Sequence, residues 1–151
     1  MKTTKFFAIF YLIFVFTNSC GYTPIYSSTN LDIKFNKIDY VPNILNQQIA
    51  QTLTSLSNIN GKKEYDLELK TFKEKSIVSK NSKGDTETYE IKIILELVVN
   101  NNDIEDTQRF SSKVKYNNND NKFELNQYEI EIEKQIINAL IEEIILYFSK
   151  L

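Results

Sequence analysis

The sequence contains no histidine and no tryptophan, and its single cysteine is Cys20. Without histidine, the chain lacks the side chain that most often serves as a general base or a metal ligand. One cysteine cannot form an intramolecular disulfide, nor can it supply a zinc site built from several thiolates. No glycine-rich phosphate loop and no serine-centred motif stands out. We therefore expect a protein that is not an enzyme and that holds no metal or cofactor.

Positive charge is also in short supply. Lysine and arginine together number 18 against 20 aspartates and glutamates, which gives a net charge of −2 at pH 7. Proteins that bind nucleic acid ordinarily carry a broad basic surface, so nucleic acid is not an expected partner. The length of 151 residues suits one domain with one core.

The N-terminus follows the pattern of a secretory signal peptide. Lys2 and Lys5 supply a positive region, and an uncharged apolar run of eleven residues follows from Phe6 to Phe16. A membrane-spanning helix needs about 20 apolar residues, so this run is too short to cross a bilayer. The sequence predicts a signal peptide over residues 1–19. The alternative is an uncleaved N-terminal anchor.

Cys20 stands directly after this segment, where a bacterial lipobox places its cysteine. A lone thiol in an exported protein needs an explanation, and lipidation supplies one, because two or more acyl chains anchor a protein stably where one binds only reversibly. We expect Cys20 to be the lipidated first residue of the mature chain; a free exported thiol is the alternative. Gly21 is not the aspartate that retains lipoproteins in the inner membrane of enteric bacteria, which favours the outer membrane.

The rest of the chain predicts one domain over residues 31–151, joined to Cys20 by an extended tether that ends at residue 30. Residues 31–38 alternate apolar and polar as a half-buried strand does. A helix is predicted after Pro42, over residues 43–56, because four apolar side chains recur there at helical spacing: Leu45, Ile49, Leu53 and Leu56. Gly61 is available for a left-handed turn after this helix.

Three further strands are predicted between residues 65 and 116, joined by turns at 81–85 and 100–103. One face of the longest strand carries Tyr89, Ile91, Ile93, Leu95, Leu97 and Val99. The following strand carries Phe110, Ser112, Val114 and Tyr116 on one side and Arg109, Ser111, Lys113 and Lys115 on the other. Because the turns are short, these strands should form an antiparallel meander.

A final helix is predicted from about Glu124 to Lys150. Its polar side chains form a narrow stripe, and apolar side chains occupy more than half of its circumference. Packing on one sheet face needs a stripe of roughly 100°, so we expect further cover from the first helix, another chain, or both. The order β-α-β-β-β-α predicts an α+β fold, with a four-stranded, largely antiparallel sheet and two helices packed on one face.

The residues after the lipobox cysteine carry a family resemblance. Cys20 followed by Gly21-Tyr22-Thr23-Pro24-Ile25-Tyr26 resembles the mature N-terminus of the LPS-assembly lipoprotein family LptE, in its alphaproteobacterial branch. That N-terminus commonly reads cysteine-glycine-aromatic-x-proline-aliphatic-tyrosine, and Thr23 stands where arginine is often found. The order and length of the predicted elements match the family over essentially the whole chain.

The resemblance implies a function of binding and positioning. LptE-like proteins plug the LptD outer-membrane β-barrel, assist its assembly and take part in delivering lipopolysaccharide to the outer leaflet. The domain would then be lipid-anchored at the outer membrane and would face the periplasm or lie in the barrel lumen. Two alternatives remain open: an accessory subunit of another lipid-transport system, and a structural tethering lipoprotein.

Cationic side chains are the natural contacts for lipopolysaccharide, because this lipid is anionic. Arg109, Lys113 and Lys115 share one strand face and are the best local candidates for such contacts. The alternative is that they are solvated surface charges, which are ordinary on a strand with one buried face.

Mass spectrometry of the N-terminus of the membrane-purified protein tests the lipidation hypothesis. We expect a chain that begins at Cys20 and carries acyl groups on its sulfur and its amino group. An unmodified Cys20, or a chain that still begins at Met1, would remove the hypothesis.

Overall fold

The computed structural model describes residues 32–101 and 104–151. Six elements follow one another: β1 (Ile33–Tyr40), α1 (Ile44–Leu56), β2 (Lys63–Lys80), β3 (Thr86–Asn101), β4 (Ile104–Asn117) and α2 (Lys122–Phe148). Their order is the predicted one, and most ends differ from the predicted ends by one or two residues. The predicted signal peptide, Cys20 and the tether lie outside the described residues, as do positions 102 and 103 of the second predicted turn.

The four strands form one sheet in the order β1-β2-β3-β4. β2, β3 and β4 are antiparallel neighbours, as the short turns predict. β1 and β2 pair in parallel, with Ile33 opposite Lys63 and Tyr40 opposite Leu69. This pair is parallel because α1 occupies the connection and returns the chain to the starting end of β1. We call that end of the sheet proximal and the end with the Asn81–Asp85 turn distal.

The helix α1 begins where its sequence predicts. Asn43 is its N-cap, and the side-chain Oδ1 of Asn43 accepts a hydrogen bond from the Asn46 backbone N–H at 2.7 Å. Asn46 itself is fully buried, and its side-chain amide donates to the Val41 carbonyl at 2.8 Å. The helical spacing of apolar residues gave no sign of this buried asparagine.

Gly61 does not take the left-handed conformation that we expected. Among the described residues only Gly84 has a positive φ, at 89° in the Asn81–Asp85 turn. At Gly61 an added Cβ would lie 2.5 Å from the carbonyl carbon of Ile33. Glycine is therefore needed at position 61 because the backbone of β1 passes too close for any side chain.

One core lies between the helices and the sheet face that they cover. The predicted alternation on β3 is confirmed, since its buried residues facing the helices are Ile91, Ile93, Leu95, Leu97 and Val99. From α2 the core receives Leu125, Ile132, Ile136, Ile137, Leu140, Ile141, Ile144, Ile145 and Phe148. The further cover predicted for α2 comes from α1, whose Ile49 and Leu53 are completely buried. Leu146 departs from this pattern, because 58% of its surface remains exposed.

The two helices cover unequal lengths of the sheet. α1 has 13 residues and α2 has 27. The side chain of Asn43, at the start of α1, reaches Thr71 of β2 at 3.3 Å, so α1 covers only the proximal part of β2. Of the two helices in the described residues, only α2 covers the sheet towards the distal end.

Candidate functional site: charged clusters on the open face of the sheet

The sheet face opposite the helices, here called the open face, carries the predicted site residues. Strand residues alternate between the two faces, and the register places Lys92, Glu96, Arg109, Lys113 and Lys115 together on this one. Among the described residues no helix covers it. The predicted common face of Arg109, Lys113 and Lys115 is therefore present, and the charges that the neighbouring strand sets beside them can now be identified.

All three predicted cations have acidic neighbours on β3, and Lys115 stands directly opposite Glu90 in the register. Lys113 Nζ lies 3.5 Å from Glu90 Oε2, and Arg109 Nη2 lies 3.9 Å from Glu96 Oε1. The side chains of Lys113 and Arg109 are 61% and 64% exposed, whereas those of Glu90 and Glu96 are 17% and 35% exposed. Both cations therefore remain accessible to an anionic ligand that competes for them.

The register adds a fourth cation that the sequence pattern did not single out. Lys92 of β3 stands directly opposite Lys113 of β4, and Lys115 follows two residues further along β4. Like charges directly opposite each other on a sheet are destabilising. We name Lys92, Lys113 and Lys115 the basic cluster. Glu74 of β2 stands opposite Lys92, and Glu90 stands opposite Lys115, so two carboxylates already offset part of the repulsion between the lysines. An anion bound between the ammonium groups would offset more of it, since lysine ammonium groups donate readily to phosphate and carboxylate oxygens.

The proximal half of the open face has the opposite charge. Asp39, Glu68 and Glu96 line an open groove of about 470 Å³ at the end of β1. Its apolar lining comes from Val98 of β3 and from the Tyr40-Val41-Pro42 segment. Lys70 also lines the groove, and Arg109 stands opposite Glu96, so these two cations offset part of its negative charge. The basic cluster in the distal half suits an anionic ligand better than this groove does.

An apolar pair separates the two halves. Ile94 of β3 stands opposite Phe72 of β2 on the open face, and only 6% of the Ile94 surface is exposed. The Lys70 ammonium lies 4.9 Å from the centre of the Phe72 ring, at a distance typical of a cation–π contact. Ile94 therefore lies in a small apolar patch on the otherwise polar open face.

A buried tyrosine and an ion pair hold α2 to the sheet behind the basic cluster. The Tyr116 hydroxyl donates to Glu129 Oε1 at 2.7 Å, and Lys75 Nζ donates to the same oxygen at 2.6 Å. Burial on its own would raise the pKa of Glu129, but the hydrogen bonds from Lys75 and Tyr116 outweigh it and hold that pKa below 4.5. Burial and the bond to Glu129 raise the pKa of the Tyr116 hydroxyl. We call Tyr116, Glu129 and Lys75 the distal brace.

A second tyrosine, Tyr147, holds α2 to β4 near the other end of the helix. The Tyr147 hydroxyl donates to Asp106 Oδ2 at 2.6 Å, and the Gln108 amide donates to that oxygen at 2.9 Å. These two bonds lower the pKa of Asp106. Burial and the bonded carboxylate raise the pKa of both tyrosine hydroxyls. The two contacts fix the position of α2 on β4.

The described residues contain no group of three or more acidic or thiol side chains that could hold a metal ion. Within the same part of the chain, no helix is both long and apolar enough to span a membrane. The charges of the open face suit anionic groups at the basic cluster and at Arg109, and cationic or apolar groups at the acidic groove.

The fold belongs to a class seen in small bacterial lipoproteins. The chain is similar to the crystal structure of rare lipoprotein B from Shewanella oneidensis, with a TM-score of 0.57 at 14% identity over 76% of this chain and 95% of that one. A minor lipoprotein from Acinetobacter baumannii gives a TM-score of 0.56 at 16% identity, over 78% and 92% of the two chains. Lipoprotein B from Nitrosomonas europaea gives 0.52 at 11% identity, over 77% and 84%.

No protein-family model matches the sequence, and no curated protein matches it significantly. At identities of this order the structural likeness establishes a shared fold. The aligned share of each solved chain shows that the likeness covers nearly the whole of those domains.

Replacing Glu129 by glutamine should lower the free energy of unfolding at pH 7 by about 1–3 kcal/mol, because Tyr116 and Lys75 lose a charged acceptor. A carboxylate whose folded-state pKa is lowered stabilises the fold above its ordinary pKa. That stabilisation is lost as the pH falls through the lowered value. The difference between wild type and Glu129→Gln should therefore shrink once the pH drops well below 4.5.

Urea denaturation at pH 7 and at pH 3 measures this difference. Glu131→Gln is the matched control, because Glu131 lies on the same helix with 66% of its side chain exposed and pairs with Lys134 at 3.8 Å. An equal loss of stability at both pH values would show that the Glu129 charge is not what braces the helix.

Proposed function

We propose that this chain is a lipoprotein of the outer membrane that works as an LptE-like plug of an LptD-like β-barrel. In this role it assists assembly of the barrel and takes part in delivering lipopolysaccharide to the outer leaflet. Acyl chains on Cys20 hold one end of the domain at the membrane. The chain acts by binding and positioning, without covalent catalysis.

The observation that carries the proposal is the shared fold. Three bacterial lipoprotein structures superpose on about three quarters of the chain and on 84–95% of their own length. The sequence supports the same conclusion independently, because a lipobox-like cysteine precedes the Gly21–Tyr26 segment that resembles the LptE N-terminus. Fold and N-terminus thus favour one class of protein.

The basic cluster supports the lipopolysaccharide part of the proposal. Two of the predicted cations, Lys113 and Lys115, lie beside Lys92. Lys113 stands directly opposite Lys92 on the neighbouring strand. Phosphate and carboxylate groups of lipopolysaccharide would occupy the space between these ammonium groups. On the same face of β4, Ser111 separates Arg109 from Lys113. Arg109 offers a planar donor for a second anionic group.

Reversing the charge of Arg109, Lys113 and Lys115 together should weaken lipopolysaccharide binding by the purified protein at least tenfold, since each position changes from attraction to repulsion. The measurement is titration with fluorescent lipopolysaccharide at low ionic strength, where screening is weakest. Lys92→Glu alone should weaken binding in the same direction.

The control carries the same total change of charge at Lys63, Lys83 and Lys150, which are exposed and lie outside the basic cluster. It should bind lipopolysaccharide nearly as the wild type does. Equal binding by all the variants would show that Arg109, Lys113 and Lys115 are solvated surface charges and do not contact lipopolysaccharide.

Affinity purification from native outer membranes tests the barrel part of the proposal. We expect a large β-barrel protein to co-purify with the wild-type chain in stoichiometric amount. A stable complex with an inner-membrane transporter and no barrel would favour the accessory subunit of another lipid-transport system. Recovery of the chain with neither would favour a structural tether.

A further inference from the structure

The strand β2 is much longer than its neighbour β1. β2 runs for 18 residues, but β1 pairs only with the part of β2 from Lys63 to Leu69. The Val41 N–H makes one more backbone bond, to the Leu69 carbonyl at 3.4 Å, and the chain then turns at Pro42 into α1. Residues 71–80 of β2, here called the free edge, pair with β3 on one side and with no strand of the described chain on the other.

The alternation of the strand identifies which backbone groups the free edge presents. The carbonyl of Leu69 points towards β1, because it accepts from Val41. In a strand the N–H and C=O of one residue point the same way and those of the next residue point the opposite way. The backbone groups of Thr71, Lys73, Lys75 and Ile77 therefore point outward, where the described residues provide them with no backbone partner.

The free edge carries only partial protection against pairing. The register shifts between Ile77 and Ser79, and such a bulge ends regular pairing near the distal tip. At the proximal end Asn43 bonds the side chain of Thr71, which leaves the backbone of Thr71 uncovered. Large apolar side chains remain accessible along the edge, since Ile77 is 52% and Val78 is 43% exposed.

We propose that the free edge binds an extended, acidic segment of a partner protein, which adds to the sheet as a fifth strand. Adding a strand satisfies the outward backbone groups, and the side chains decide which segment is accepted. Residues 70–80 contain four lysines and one glutamate. Lys73 and Lys75 each hold one glutamate of α2 and keep 45% and 39% of their side chains exposed, so further carboxylates can reach both ammonium groups.

Charge disfavours a second copy of this chain as the occupant. An antiparallel pair of free edges centred on Lys75 would set the two copies of Lys75 directly opposite each other, and such like-charge pairs are destabilising. The chain's own segment from Cys20 to Leu31 contains no aspartate or glutamate, so its charge does not match the lysines of the free edge. An acidic segment from another protein meets neither difficulty.

Binding of a partner segment at the free edge does not depend on lipopolysaccharide binding by the basic cluster. The two surfaces are separate, because the free edge lies on β2 and the cluster lies on β3 and β4. Charge reversal in the basic cluster should leave strand addition intact, so the two proposals fail separately.

The test uses the membrane-purified protein in detergent and a capped nine-residue peptide that alternates glutamate with valine. Hydrogen exchange by NMR should show rapid exchange at Thr71, Lys73, Lys75 and Ile77 in the free protein. Adding the peptide should slow exchange at these four amides about tenfold or more, because each gains a hydrogen bond. A lysine–valine peptide should bind at least tenfold more weakly, and a peptide N-methylated at alternate residues should not protect these amides.

The matched protein variants are Lys73→Pro and Lys73→Ala. Both remove the ion pair with Glu133, but only proline removes the outward N–H. Lys73→Pro should lose peptide binding, and Lys73→Ala should retain most of it. If Lys73→Pro fails to fold, the N-methylated peptide decides the question with the wild-type protein.

Three results would overturn the proposal. The peptide could leave exchange at the four amides unchanged. The amides could already be protected in the free protein to a degree that rises with protein concentration, which would identify a second copy as the occupant. They could also be protected at every concentration, which would identify the chain's own N-terminal segment.

Discussion

Burial of the inner face of β3 is the constraint on which the rest of the structure depends. This strand has partners on both sides, and Ile93, Leu95 and Leu97 on its inner face are completely buried. A strand of 16 residues is roughly 50 Å long, and a helix of 27 residues covers roughly 40 Å. Only a helix as long as α2 can exclude water from most of that face, so the long apolar C-terminal segment is a requirement of the long central strand.

The shortness of α1 explains why charged side chains lie between α2 and β2 in the distal half of the sheet. Its 13 residues extend roughly 20 Å. The helix covers β2 only as far as Thr71, which Asn43 contacts. Beyond that point α2 meets β2 through Lys73–Glu133 and Lys75–Glu129 contacts at 2.9 and 2.6 Å. Lysine stems can cover apolar surface while the ammonium groups reach water, so ion pairs occupy the position that a second helix fills at the proximal end.

Much of this architecture could be predicted from local pattern, because alternation and helical spacing report directly on which side chains are buried. The buried face of β3 and the polar stripe of α2 were predicted in this way. The role of Gly61 could not be, since it depends on the approach of Ile33 from a distant part of the chain. The same holds for Lys92, whose polar position on β3 was visible but whose opposition to Lys113 is a property of pairing.

The register between β3 and β4 therefore determines which side chains come together in the candidate site. A shift of one residue between β3 and β4 would move every β4 side chain to the other face and would turn Lys113 towards the helices in place of the half-buried Val114. The buried inner face forbids that shift, and the Asn118 N–H bond to the Glu87 carbonyl at 2.8 Å closes the distal end of the pair. Because the core fixes the register, the core also sets lysine opposite lysine on the open face. Composition alone, with acidic residues in slight excess, would not have placed a basic cluster anywhere on this protein.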